Sequence, residues 1–230
     1  MGMGLRIGLM VPANNTTMES ELLAWLPAGA SCRTLRIPRQ QGLLTPADIP
    51  AYVGQAESMA EAFGENPVDL VVYGCTAAGI LAGPERDAAI ATSLSKITGK
   101  RVVTTASSMV ASLREEEASD IALVTPYSDE VNERLKAFLA HADIRVRNMR
   151  SLGAANVEEL GAIGAGAVAR LARETVDEGC DALFIACSQL PTREIVGPLE
   201  REFRKPVWSS IKATAWRAAQ ELRVPLRDEG

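Results

Sequence analysis

Two stretches of this chain repeat one pattern, and the repeat limits the folds open to it. Asp69-Leu-Val-Val-Tyr-Gly-Cys75-Thr76 and Asp181-Ala-Leu-Phe-Ile-Ala-Cys187-Ser188 each run from an acid through an apolar stretch to a cysteine and a hydroxyl residue. Two further pairs keep the same order. Ile7–Pro12 is similar to Ile121–Pro126, each closing on proline, and Lys100–Ala106 is similar to Lys205–Ile211, each carrying paired hydroxyls. Short apolar runs of this kind suit strands buried on both faces of a parallel sheet.

Strands are expected at Leu5–Val11, Cys32–Ile37, Leu70–Gly74, Val102–Thr105, Ile121–Thr125, Arg145–Arg147, Leu183–Ala186 and Val207–Ser209. Helical periodicity falls between them, at Met18–Leu26, Ala47–Phe63, Pro84–Thr98, Ser107–Glu115, Asp129–His141, Val157–Glu178, Thr192–Phe203 and Ala213–Leu222. Thr17, Thr45 and Thr192 stand where helix starts are expected, and Gly99, Gly153 and Gly179 where elements end. Such alternation argues for βαβ units. Eight strands could close as a barrel, but the repeat favours an α/β fold of two pseudo-symmetric lobes. Each lobe is then a four-stranded parallel sheet flanked by helices, with the active site in the cleft between them. The expected division is residues 1–106 with 211–230, and residues 107–210.

At 230 residues with 47% apolar and 4% aromatic side chains, the chain has ample material for such cores. A net charge of −5 gives no support to a nucleic-acid surface. No apolar run is long enough to span a bilayer, and the opening stretch has the form of a first strand rather than a secretory leader. The expected location is the cytoplasm, with reduced thiols. Four cysteines make no disulfide framework here, and no Cys/His spacing offers a zinc site. His141 ends a helical stretch, where a solvated position is expected.

Ligands of open α/β sheets bind beyond the carboxyl ends of the strands, which is where Cys75 and Cys187 fall. A free cysteine is usually an inert small hydrophobe, the role assigned to Cys32 and Cys180. A sulfur at a helix N-terminus differs, because unpaired N–H groups favour the thiolate and draw its pKa towards neutrality. Two such thiols facing each other can act as thiolate and thiol acid. The polar run Asn14-Asn15-Thr16-Thr17 has two readings: an Asx-turn capping a helix, or a cradle for a carboxylate. Tyr127 either packs as an aromatic or brings a phenol to the cleft. Ser107, Ser108, Ser209 and Ser210 suit helix caps. The segment Arg36–Thr45, rich in Arg and Gly, is either a lid or an ordinary surface connection.

At these residues the chain resembles the aspartate/glutamate racemase superfamily, and within it maleate cis–trans isomerases and arylmalonate decarboxylases. Ile7-Gly-Leu-Met-Val-Pro-Ala-Asn14-Asn-Thr-Thr-Met-Glu19-Ser-Glu21 is similar to the isomerases' opening motif. Val124-Thr-Pro-Tyr127 and Arg150-Ser-Leu-Gly-Ala-Ala-Asn156 are similar to later ones. Cys75-Thr-Ala-Ala-Gly79 is closer to the racemases, and the stretch from Asp129 to Phe138 to the decarboxylases. The resemblance implies that Cys75 is the nucleophile and Cys187 the proton donor and acceptor. Asn14, Tyr127 and Asn156 would hold the carboxylates, with Thr76 and Ser188 beside them. It implies a small dicarboxylate substrate, maleate becoming fumarate, no metal or other cofactor, and a homodimer or homotetramer. A two-cysteine amino-acid or hydantoin racemase is the first alternative, then an arylmalonate-type decarboxylase, then a carboxylate-binding protein without chemistry.

Overall fold

The computed structural model describes residues 4–39, 42–65 and 68–227. Its first parallel sheet holds β1 (Arg6–Pro12), β2 (Ser31–Ile37), β3 (Leu70–Tyr73) and β4 (Val102–Thr104), in spatial order β2-β1-β3-β4. The second holds β5 (Asp120–Thr125), β6 (Arg145–Ser151), β7 (Ala182–Ile185) and β8 (Val207–Ser209), in order β6-β5-β7-β8. The two orders are the same, so the expected pair of four-stranded α/β lobes is what the chain forms.

The acid that opens each repeat has a structural job. An Asp69 carboxylate oxygen accepts the Arg6 backbone N–H at 2.8 Å, and Asp181 accepts the Ser119 and Asp120 N–H groups at 2.9 and 2.7 Å. In each lobe the acid entering the third strand therefore ties down the start of the first. For Asp181 these bonds hold the carboxyl below the usual range. The paired hydroxyls also correspond. Thr104 accepts the Ser107 N–H and caps α6 (Thr105–Glu115), while Ser209 accepts the Lys212 N–H and caps α11 (Ser210–Leu222). These two helices pack on each other, and Ala106, Met109 and Leu113 on one and Ile211, Ala215 and Ala218 on the other are buried. Small residues allow the approach, and the buried apolar side chains of both lobes join in one core.

Several helices differ from expectation. α4 (Thr76–Ala82), directly after Cys75, supplies the helix N-terminus expected at that cysteine, though the stretch shows no helical periodicity of its own. Its alanines and glycine carry no polar face because it is buried between neighbours. Gly83, at φ 86°, then turns the chain into α5 (Pro84–Thr98). The expected Val157–Glu178 helix breaks at Ile163-Gly164 into α8 (Val157–Ala162) and α9 (Ala165–Thr175), since Gly164 takes an extended conformation. Before α10 (Val196–Phe203), Thr192 spends its hydroxyl and N–H on the Glu21 carboxylate of α1 (Met18–Trp25) instead of starting a helix. The Ala47–Phe63 stretch is a 3₁₀ turn at Pro46–Asp48, then α2 (Ile49–Ala60) and α3 (Ala62–Glu65). α7 (Asp129–Ala140) ends at an exposed His141.

Gly79 fixes how α4 sits. A Cβ there would lie 2.5 Å from Asp87 Oδ1 and 2.6 Å from Ala106 Cβ. Asp87 is buried, its other oxygen bonded to Thr104 Oγ1 at 2.5 Å, and burial raises its carboxyl to about 6. Gly79→Ala is therefore expected to destabilise the fold by about 1–3 kcal/mol and to displace Cys75 at the head of α4. A urea melt beside a thiol-alkylation rate checks both effects.

Candidate active site

Both repeat cysteines open on one cavity of about 330 Å³ at the carboxyl ends of the strands. Cys75 is the N-cap of α4 and only 4% exposed. Cys187, 7% exposed, follows β7. No helix begins at Cys187; the chain turns through Ser188–Leu190. Its φ of 126° lies in a region that side chains other than glycine rarely adopt, a strain of roughly 1–3 kcal/mol. The surroundings hold it there: the Cys187 N–H donates to Ser210 Oγ at 3.0 Å, and the Ala186 N–H to the Val124 carbonyl at 2.8 Å. Of the hydroxyls expected to cap helices, Ser209 does so and Ser210 positions a cysteine.

Asn14, Thr76, Tyr127 and Ser188 also line the cavity, and Asn156 does not. Asn156 caps α8, its Oδ1 accepting the Glu158 and Glu159 N–H groups at 3.0 and 2.9 Å, while Nδ2 donates to the Glu159 carboxylate. Its neighbours Ala154 and Ala155 reach the cavity instead. The two readings of the Asn14–Thr17 run divide between neighbours. Asn15 Oδ1 accepts the Thr17 and Met18 N–H groups and caps α1, whereas Asn14 Oδ1 has no protein partner. Thr76 Oγ1 and the Tyr127 hydroxyl are likewise buried and unpartnered. Tyr127 is steadied through its backbone carbonyl, which accepts from Asn132 Nδ2 and Ser151 Oγ.

Ser188 serves the junction between lobes. Its hydroxyl donates to the Gly74 carbonyl at 2.9 Å and accepts from Asn15 Nδ2 at 3.2 Å. Gln189 exchanges two bonds with Thr16, one to its N–H and one from its side-chain amide to the hydroxyl. These bonds stitch the floor of the cleft directly beside the sulfurs. Asn15, Gln189 and Arg39 all line the cavity; Asn15 and Arg39 fall within stretches flagged in the sequence without a role of their own, and Gln189 was not flagged. A hydrophilic residue two positions past a strand-end cysteine could have flagged Gln189. The segment Arg36–Thr45 does border the cavity through Arg39 and Leu43–Thr45, with Gln40 and Gln41 outside the described residues.

The expected thiol pKa shift is reversed. Burial raises Cys75, against the opposing pull of the Ala77 and Ala78 N–H groups, Tyr52 and Arg39. Burial likewise pushes Cys187 up to about 11, opposed by the Gln189 N–H and the neighbouring Tyr127 hydroxyl and reinforced by Cys75. The tyrosine hydroxyls approach the sulfurs without standard hydrogen-bond geometry. Desolvating a thiolate thus outweighs the helix N-terminus. Burial also holds Tyr127 as a neutral phenol able to donate.

Stability follows from the shift. Between pH 9 and 11 the folded chain retains a Cys187 proton that the unfolded chain has lost, so stability falls as pH rises through that window. The full effect is about 3 kcal/mol. Cys187→Ser is expected to flatten this alkaline loss in denaturant melts taken at successive pH values.

Comparison with known proteins agrees with this architecture. A maleate isomerase of Nocardia farcinica is 30% identical over 99% of this chain and 94% of its own. The structure of a cysteine-to-serine mutant of the Nocardia farcinica maleate cis–trans isomerase, carrying a covalently bound succinylcysteine intermediate, superposes with a TM-score of 0.89. It is 28% identical and covers 96% of this chain and 94% of that one. An arylmalonate decarboxylase of Bordetella bronchiseptica is 27% identical over 78% of this chain and 75% of its own. The model of the arylmalonate decarboxylase family matches residues 7–230, and the chain belongs to that family.

Proposed function

We propose that the protein is a cofactor-independent cis–trans isomerase that converts maleate to fumarate through a thiolate adduct. The observation that carries this reading is the pair of thiols, from equivalent positions in the two lobes, on one small cavity. Two buried hydroxyls without partners, on Thr76 and Tyr127, line the same space, and the Asn14 amide beside them, its Oδ1 also unpartnered, can donate through Nδ2. The relatives named maleate isomerase, and the succinylcysteine held by one of them, point the same way.

Rotation about a C=C bond requires that its π bond be broken. Cys75 first gives its proton to solvent, a step that burial opposes and that Arg39 and the α4 N–H groups assist. Its sulfur then bonds one alkene carbon, while the π electrons take the proton of Cys187 at the neighbouring carbon. The product is a succinyl thioether, free to rotate about a single bond. The Cys187 thiolate reclaims the proton, the double bond re-forms, and the Cys75 sulfur leaves. Nothing is consumed. Charge gathers on the carboxylate conjugated to the attacked bond, and the Tyr127 phenol, the Asn14 amide and the Thr76 hydroxyl stabilise it. Losing one such donor typically costs roughly 3–4 kcal/mol of barrier. Asn156, whose side chain caps α8, reaches a carboxylate only by giving up that cap.

The racemase and decarboxylase alternatives use the same thiols differently: a racemase exchanges the Cα hydrogen of its amino acid, and a decarboxylase releases carbon dioxide. Proton NMR with maleate, aspartate, glutamate, hydantoins and phenylmalonate in deuterated buffer separates them. Maleate giving fumarate is the expected result. Exchange or decarboxylation without it would replace the proposal. Among the described residues no helix is long and apolar enough to cross a membrane. A cytoplasmic location, a homo-oligomer, and a lobe division at residues 106–107 and 210–211 complete the proposal.

A further inference from the structure

Resting on the isomerase reading, we infer that the natural substrate is a cis-butenedioate bearing an alkyl group on its double bond. The cavity combines a few polar atoms with an apolar wall. Leu43 and Leu44 come from the loop after β2, Val131 from the first turn of α7, Ala154 from the loop after β6, and Leu160 from α8. Leu44, Val131 and Leu160 are buried, and Leu43 packs on the core behind them. Among the described residues of the lining, Arg39 is the basic one and Glu130 the acidic one.

Maleate fits only half of this description. Its two carboxylates suit Asn14, Thr76, Tyr127 and Arg39, but between them it offers two C–H groups and nothing for leucines to cover. A volume of about 330 Å³ is at the low end of cavities that hold drug-sized ligands, roughly 300–1,000 Å³. That is more space than an eight-heavy-atom dianion requires. An apolar wall facing a fully charged ligand gains nothing from its desolvation, whereas a methyl or ethyl branch buried there gains in proportion to its area.

The chemistry accommodates the branch. The Cys75 sulfur bonds the unsubstituted alkene carbon, where access is open, and the Cys187 proton goes to the alkyl-bearing carbon. After rotation Cys187 takes that proton back and the carbon–sulfur bond breaks. For 2-methylmaleate the product is 2-methylfumarate, with atoms and electrons balanced within the two thiols.

The test measures kcat/KM for maleate and 2-methylmaleate in parallel by proton NMR, for the full chain and for Leu43→Ser and Leu160→Ala. Burying one methyl predicts a 2-methylmaleate to maleate ratio of about four in the unaltered protein. In the variants the ratio should fall to one or below, whatever their overall loss of activity. Leu43→Ser lies on a loop and keeps the test open if Leu160→Ala folds poorly. Turnover of maleate with a ratio below one in the unaltered chain, or a ratio unmoved by both substitutions, overturns the inference and leaves the isomerase reading standing. If neither diacid is converted, both fall together.

Discussion

Replacing Cys75 by serine is expected to abolish conversion of maleate, lowering kcat by at least roughly a thousandfold while the fold persists. Serine is close in size, and Cys75 supplies no structural hydrogen bond as an N-cap, so little stability should be lost. The alkoxide that serine would need is far less accessible than a thiolate, above all in a cavity whose burial already raises the cysteine. The loss should therefore fall on kcat, with substrate binding retained. Proton NMR of maleate turnover, beside a thermal melt, measures both. Full activity in Cys75→Ser would remove the sulfur from the mechanism.

Cys187→Ser should fail at a different step. The attacking sulfur remains, but the group that protonates the adduct and later takes the proton back is a poorer acid and base. A loss of roughly 10²–10⁴ in turnover is expected, the usual range for general acid–base catalysis. The adduct should also accumulate, because its breakdown needs the same proton removed. Intact-mass spectrometry after incubation with maleate should then show the chain heavier by one maleic acid, with the increment localised to the peptide containing Cys75. An increment on another cysteine would reverse the assigned roles. The substitution leaves the bond to Ser210 Oγ in place, because the main-chain N–H of residue 187 donates it, so the strained turn should survive.

The two losses should not add. Once either thiol is gone the sequence of addition and protonation is broken, and the double variant is expected to be little worse than Cys75→Ser alone.

Much of this architecture was legible in the chain because it rests on local patterns. Apolar runs closed by Pro12 and Pro126 are strands whose side chains meet helices on both faces. Ser209 caps its helix as expected through an N–H three residues away, whereas in the first lobe Thr104 is the cap and the expected Ser107 supplies the N–H. The acids Asp69 and Asp181 stand at matched positions because each lobe needs the same clasp at the start of its first strand. The position of both thiols at strand ends followed from the same repeat, and with it their meeting in one cleft.

What each polar group does once there depends on partners distant in sequence. Ser188 and Asn15 bond each other across the lobes, and Asn14, one residue away, is left free to face the cavity. Asn156 carries the same amide as Asn14 but spends it on the first turn of α8. The sign of the cysteine shift reversed for a related reason. A helix N-terminus is visible in three or four residues, whereas burial sums over every element that excludes water, and here burial is the larger effect. Local order specified the two lobes and their sulfurs. The packing of one lobe against the other decided which neighbours face a ligand, how apolar its walls are and how tightly each thiol keeps its proton, because desolvation is a property of the assembled volume and not of any segment of chain.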